Sequence, residues 1–158
     1  MLKKMVWLAL IFILALADQI SKTWVVSKFS YGLIYPIMPT FNIQLVYNYG
    51  ISFSLFNMAI YYYLILGFGL MITMGLIMWL VKTPSDHKLK LSALSLILSG
   101  AIGNLVDRAF RGYVVDFIDF TIGNWHWYNF NLADICISLG AFLMMLDLFI
   151  HKEEGRLK

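Results

Sequence analysis

Four of the nine acidic residues in this chain, Asp107, Asp116, Asp119 and Asp134, lie between Gly103 and Asp134, in the blocks GNLVDR, GYVVDFIDF and FNLAD. The flanking sequence is almost uncharged and strongly apolar. Two aspartates held close together cannot both ionise cheaply, so they share a proton: the ionised member can activate water while the protonated one donates to a substrate carbonyl. Such a pair titrates as a unit. Ordinary salt bridges are the competing explanation, because Arg108 and Arg111 are near enough in sequence to supply the cation. Spacing alone does not choose a pair among the four. Asp134 opens an apolar helical stretch just after Asn131, where N-terminal amides stabilise a negative charge. Asp116 lies between Val114-Val115 and Phe117, apolar surroundings that raise a carboxylate's pKa.

Other chemistries are less well served. His87, His126 and His151 are far apart, and neither an HExxH nor a Cys/His ligand spacing occurs, so no metal is expected. There is no GxSxG nucleophile elbow, and no phosphate-cradling glycine loop. A Ser–Lys pair using Lys22 with Ser52 or Ser54 is conceivable, but spacing singles out neither serine. Asp18 and Lys22, spaced i,i+4, share a helix face in the order that favours an ion pair. They fit a structural role, one that can still hold an active site in place, or the end of a span from which Lys22 snorkels.

The elements that must carry these residues are membrane spans. The chain of 158 residues is 61% hydrophobic and 13% charged, with mean hydropathy +0.77, and several apolar runs exceed the roughly 18 residues that mark a crossing helix. The expected fold is an all-α membrane protein, a four-transmembrane-helix bundle with a small extracytoplasmic β element, in one domain over residues 1–158. Helices are expected at about 5–26, 59–81, 89–110 and 131–150, with outer segments at 27–58 and 111–130, a cytoplasmic loop at 82–88 and a tail at 151–158. The first run, Met5 to Ala17 after Lys3 and Lys4, has the look of a cleavable signal peptide, yet Ile20, Trp24, Val25 and Val26 continue it to a full span. In the second, Gly67, Gly69 and Gly75 would permit close helix contact. Between the first two spans, Ile43, Leu45, Tyr47 and Tyr49 alternate with Asn42, Gln44 and Asn48, as in an extended strand, before a turn at Asn48-Tyr49-Gly50. The lone Cys136 permits no intrachain disulfide and suits a buried thiol.

A net charge of +3 need not mean nucleic acid, because the basic residues cluster beside the spans. Eight of the twelve Lys and Arg (Lys3, Lys4, Lys82, Lys88, Lys90, Lys152, Arg156, Lys158) fall on one side, and Lys22, Lys28, Arg108 and Arg111 on the other. The positive-inside rule then places both termini in the cytoplasm. Asp18, Lys22, Asn104, Asp107, Arg108 and Asp134 converge at the outer helix ends.

The set Asp18-x-x-x-Lys22, Asn48-x-Gly50 with Phe53, Gly103-Asn104-Leu105-x-Asp107-Arg108, Gly112-x-Val114-Val115-Asp116-Phe117 and Phe130-Asn131-x-Ala133-Asp134 resembles the bacterial lipoprotein signal peptidase (type II signal peptidase) family over nearly the whole chain. Ile51-Ser52 departs from the two alanines of many members. The resemblance implies an aspartyl endopeptidase of the bacterial cytoplasmic (inner) membrane that removes the signal peptide of prolipoproteins, cutting just before a diacylglyceryl-modified cysteine. It makes Asp116 and Asp134 the catalytic pair, with Asn104, Asp107, Arg108 and Asn131 shaping the site. Asn48 and Gly50 support it from the outer segment, Asp18 and Lys22 from the first helix. It implies no metal or organic cofactor; the partners are the lipidated substrate and membrane lipid, around a monomer. A small proton-coupled transporter is the competing class, but it predicts acids near the bilayer midplane and interrupted spans.

Overall fold

In a computed structural model the described residues are 2–50, 62–123 and 125–154. Ile51, Ser52, Phe53 and Ser54, the start of the second expected helix at 59–61, and Arg156 and Lys158 lie outside them. Four long helices, α1 (Leu2–Lys28), α2 (Tyr62–Lys82), α3 (Lys88–Arg111) and α4 (Leu132–Glu154), are each long and apolar enough to cross a membrane. Their outward faces carry residues such as Phe12, Ile13, Phe68, Met71, Phe142 and Leu148, which stay exposed in the isolated chain. Lipid solvates such a surface, and helices satisfy their own backbone there.

The bundle alternates in direction. At one end Lys4 Nζ of α1 donates to the carbonyls of Leu80 and Val81 at the close of α2, and Lys90 of α3 pairs with the buried Asp147 of α4 at 3.3 Å. At the other end Tyr62 donates its hydroxyl to the Arg108 carbonyl, 2.7 Å away, and Arg111 reaches Thr23 at 3.1 Å. α3 is the central helix, packed on α1, α2 and α4. Of the glycines expected to permit contact in the second span, Gly69 lies against α3, where a Cβ would be 3.4 Å from Leu105 Cδ1, whereas a Cβ on Gly67 or Gly75 would meet nothing within 4 Å. The closest approach is where α3 meets α4. A Cβ on Gly140 would lie 2.8 Å from the Ala93 carbonyl oxygen, and one on Gly100 would strike that of Ala133.

The connections at the second end form a four-stranded antiparallel sheet, in the order β1 (Ile34–Met38), β2 (Phe41–Asn48), β3 (Val114–Ile122), β4 (Trp125–His126). It is the small β element expected, built from both connections at this end. β3 follows from Val-Val-Asp-Phe-Ile-Asp-Phe-Thr-Ile, a run of β-branched and aromatic residues that favours a half-buried pleat. It follows α3 because Gly112, at φ 80°, ends that helix in the left-handed region and returns its N–H to the Arg108 carbonyl.

The expected alternation along β2 does not persist. Ile43 is opposite Ile118 but Val46 is opposite Asp116, so β2 spends one extra residue where β3 spends none. This bulge reverses the faces midway. Ile43, Val46 and Asn48 end up on the side of Asp116 and Ile118, and Asn42 and Tyr47 on the other, with Asp119 and Val115. A strict period of two would have kept Ile43 with Tyr47 and Asn42 with Asn48.

Candidate active site

α4 starts with a capping box. The Asp134 N–H donates to Asn131 Oδ1 at 3.0 Å, and the Asn131 N–H donates back to Asp134 Oδ2 at 3.2 Å. The exchange fixes both side chains. Asn131 is fully buried, and its amide nitrogen is left to face Asp116, donating to Oδ1 at 2.6 Å and to Asn104 Oδ1 at 3.2 Å. Asn48, turned to this side by the bulge, donates to Asp116 Oδ2 at 3.1 Å. Asn104 of α3 donates to Asp134 Oδ1 at 2.8 Å. Asp116 and Asp134 are therefore joined through one asparagine and flanked by two more.

Asp116 is 4% exposed. Burial first, and then the neighbouring charge of Asp134, push its carboxyl up to about 7, although the hydrogen bonds from Asn48 and Asn131 act in the opposite direction. At neutral pH the carboxyl is thus poised between its two forms. Arg108 reaches round the site from α3 and donates to the Gly50 carbonyl at 2.9 Å and the Asn104 carbonyl at 3.3 Å. The Gly50 N–H in turn donates to Asn48 Oδ1 at 3.1 Å, closing the turn expected at Asn48-Tyr49-Gly50.

Behind Asn104 lies a buried ionic ladder. Lys22, fully buried, donates to Asn104 Oδ1 at 3.0 Å and pairs with Asp18 at 2.8 Å and Asp107 at 3.0 Å. Asp18 reaches beyond its own helix to accept the Ala133 N–H of α4 at 3.0 Å. Asp107 also accepts Arg111 and, at 3.1 Å, the Val115 N–H of β3. Such charges are tolerable in a dry interior only when paired and further hydrogen-bonded. Gln19 adds bonds to Asp18, Asp107 and the Gly103 carbonyl. It was not singled out from the sequence, although its position beside Asp18 in an apolar helix was a visible signal.

Asp119 belongs to a separate cluster. It takes Asn42 Nδ2 at 2.8 Å and faces His126 Nδ1 at 3.0 Å on the other side of the sheet. The four aspartates thus divide: Asp107 in the ladder, Asp119 with Asn42 and His126, and Asp116 with Asp134 around Asn131. Neither Asn42 nor His126 was anticipated, because their proximity depends on register.

Asp116 and Asp134 stand at one end of a groove of about 780 Å³. Arg108, Asn48 and Asn104 share that polar end; Phe68, Ile72, Leu105, Ile135 and Leu139 of α2, α3 and α4 line the apolar length, and Trp127, Tyr128 and Phe130 of the connection before α4 complete the wall. α2 packs on α3 and not appreciably on α4, so the groove is the gap between them. A hydrophobic segment can lie along it with one polar bond beside the carboxylates.

Fold and site together define a multi-pass membrane protein with a paired-carboxylate centre at one end of its bundle. Comparison with known proteins makes this specific. Residues 10–150 match the model of the family described as signal peptidase (SPase) II, and the chain belongs to that family. It is 41% identical over 145 residues to the lipoprotein signal peptidase of Hydrogenovibrio crunogenus, covering 90% of this chain and 83% of that one. With the lipoprotein signal peptidase of Paraburkholderia phymatum the identity is 43% over 145 residues, covering 89% and 86%. Among solved structures, a bacterial membrane enzyme determined by the in meso method at 2.3 Å resolution superposes with a TM-score of 0.86 at 24% identity, covering 94% of this chain and 90% of the other. A second, at 1.9 Å resolution, gives 0.78 at 26% identity, covering 90% and 92%.

Proposed function

We propose that this protein is an aspartyl endopeptidase of the bacterial cytoplasmic membrane that removes signal peptides from diacylglyceryl-modified prolipoproteins, cutting before the lipidated cysteine. The single observation that carries the reading is the Asn131-bridged pair Asp116–Asp134 at the polar end of an apolar groove. The relatives' name, lipoprotein signal peptidase, supports the substrate class.

Asp134, held by donors from Asn104 and the Asn131 backbone, serves as the base and takes a proton from water. The resulting hydroxide attacks the scissile carbonyl, and Asp116, in its protonated form, donates to the carbonyl oxygen. Asp134 then returns its proton to the departing amine as the C–N bond breaks, and Asp116 recovers its own from the gem-diol. Asn48 orients the Asp116 carboxylate, and Arg108 holds the Gly50 and Asn104 carbonyls beside the pair. Lys22, Asp18 and Asp107 hold Asn104 and the start of α4 in register. The signal helix occupies the gap between α2 and α4, while the acyl chains remain in lipid. In this reading one integral domain, residues 1–158, acts as a monomer, with both termini cytoplasmic and the site at the outer face.

The test is proteolysis of a purified prolipoprotein, with and without its diacylglyceryl group, by the protein in lipid vesicles. The expected product is a lipidated polypeptide beginning at cysteine, identified by mass spectrometry, and a chelator should leave the rate unchanged. Equal cleavage of the unmodified substrate, or a cut elsewhere, would overturn the substrate assignment.

A further inference from the structure

One wall of the groove is not a helix. Trp127, Tyr128, Asn129 and Phe130, consecutive in the connection between β4 and α4, all line it together with Asp116 and Asp134. The far end of this segment is tied firmly to the sheet. The Phe117 and Ile118 N–H groups donate to the Phe130 carbonyl at 3.0 and 2.8 Å, the Phe130 N–H donates to the Ile118 carbonyl at 3.1 Å, and Asn129 Nδ2 donates to the Gln44 carbonyl at 3.1 Å. The near end hangs on β4, which is two residues long, and on the Trp127 N–H, which donates to the Phe120 carbonyl at 2.8 Å. So short a strand is a weak attachment.

His126 supplies what β4 lacks. Its Nδ1 lies 3.0 Å from both Asp119 oxygens, and the fully buried Asp119 also accepts Asn42 Nδ2 at 2.8 Å. A carboxylate only accepts, so Nδ1 is the nitrogen that carries the hydrogen. Successive residues of a strand point to opposite faces. With His126 held on the Asp119 face, Trp127 is turned to the face of Asp116, where its ring meets that of Trp125 edge-on, centroids 5.4 Å apart. The cleavage steps use neither Asp119 nor His126, yet the two fix the residue from which the groove wall begins.

We propose that Asp119 and His126 form a positioning pair for substrate binding: together they set the wall of residues 127–130 against the part of the groove that receives the cleavage site. The inference rests on the peptidase reading. Its effect is confined to binding, because Asn131, which carries the acid–base geometry, is fixed separately by its exchange with Asp134 and by the Phe130–Ile118 bonds just before it. Loss of the pair loosens the wall and leaves the carboxylates in place. Contacts made equally with substrate and transition state alter KM and not kcat.

The test measures binding of a fluorescent lipidated prolipoprotein peptide to the protein in lipid vesicles, and then kcat and KM for cleavage of the same peptide. His126→Ala should raise Kd and KM about tenfold, the scale of one hydrogen bond to a charged group, while kcat changes by less than about twofold. His126→Asn should restore both constants to within about twofold of wild type, because its amide nitrogen stands as many bonds from Cβ as Nδ1 does. The double variant Trp127→Ala/Tyr128→Ala should itself weaken binding at least as much, and adding His126→Ala to it should change nothing further, since residues acting through one element are not additive. Wild-type affinity in His126→Ala or in the double variant, a fall in kcat at unchanged KM, or an Asn variant as weak as Ala would each overturn the pair's role. The double variant decides the matter even where His126→Ala does not fold. Binding needs no turnover, so failure of this inference is distinguishable from failure of the peptidase reading.

Discussion

Asn131 is where the two candidate carboxylates meet, its backbone bonded to one and its side chain to the other. Asn131→Ala should lower kcat by about 100-fold, in the range for misplacing an acid–base group, with a smaller change in KM. Steady-state kinetics on a lipidated substrate separates the two. The pH profile follows from Asp116. The reaction needs one proton on the pair: at low pH both members are protonated and no base remains, whereas above the raised value of about 7 both are ionised and no acid remains. The alkaline limb of kcat should therefore fall near pH 7. Asn48 donates to Asp116 and favours its ionised form, so Asn48→Ala should move that limb to higher pH. A limb that stays in place would contradict the role given to Asn48.

The elements place these residues with different degrees of legibility. The four spans could be read because each is a long apolar run, and the i,i+4 pair Asp18–Lys22 could be read because a helix puts both on one face. That Lys22 would also meet Asn104 and Asp107 was not legible, since it depends on how closely α1 and α3 approach. The face reversal in β2 was hidden for a related reason: a bulge is a property of two strands in register, and the alternation in one strand does not reveal it. Yet the bulge is what sends Asn48 to Asp116 and Asn42 to Asp119. At this scale Lys22→Met should destabilise the protein by about 3–5 kcal/mol, because Asp18 and Asp107 would be left buried without their shared cation; thermal unfolding in detergent is the measurement. Gly103→Ala should impair the same ladder while leaving its charges intact, because the added Cβ would lie 2.6 Å from Asp18 Oδ2. A wild-type melting temperature in Gly103→Ala would show that Asp18 can move without cost.

For the whole molecule, the convergence of Asp18, Lys22, Asn104, Asp107, Arg108, Asp116, Asn131 and Asp134 follows from alternating helix direction, which the distribution of Lys and Arg made readable before any contact was known. What that distribution could not do was rank Asp116 above Asp119. The sheet separates them, turning one toward Asn131 and the other toward His126. The proposed orientation predicts that, with Cys136 replaced by Ser, a membrane-impermeant maleimide applied to spheroplasts labels Lys28→Cys and spares Asp86→Cys. Labelling of residue 86 alone would invert the topology. The central claim, that Asp116 and Asp134 act as one catalytic pair, is tested most directly by single-turnover cleavage of a lipidated prolipoprotein with purified Asp116→Asn and Asp134→Asn. Each should retain its fold and lose at least about 1,000-fold in rate, as expected when members of a unit are removed singly. Substantial turnover by either variant would contradict the claim.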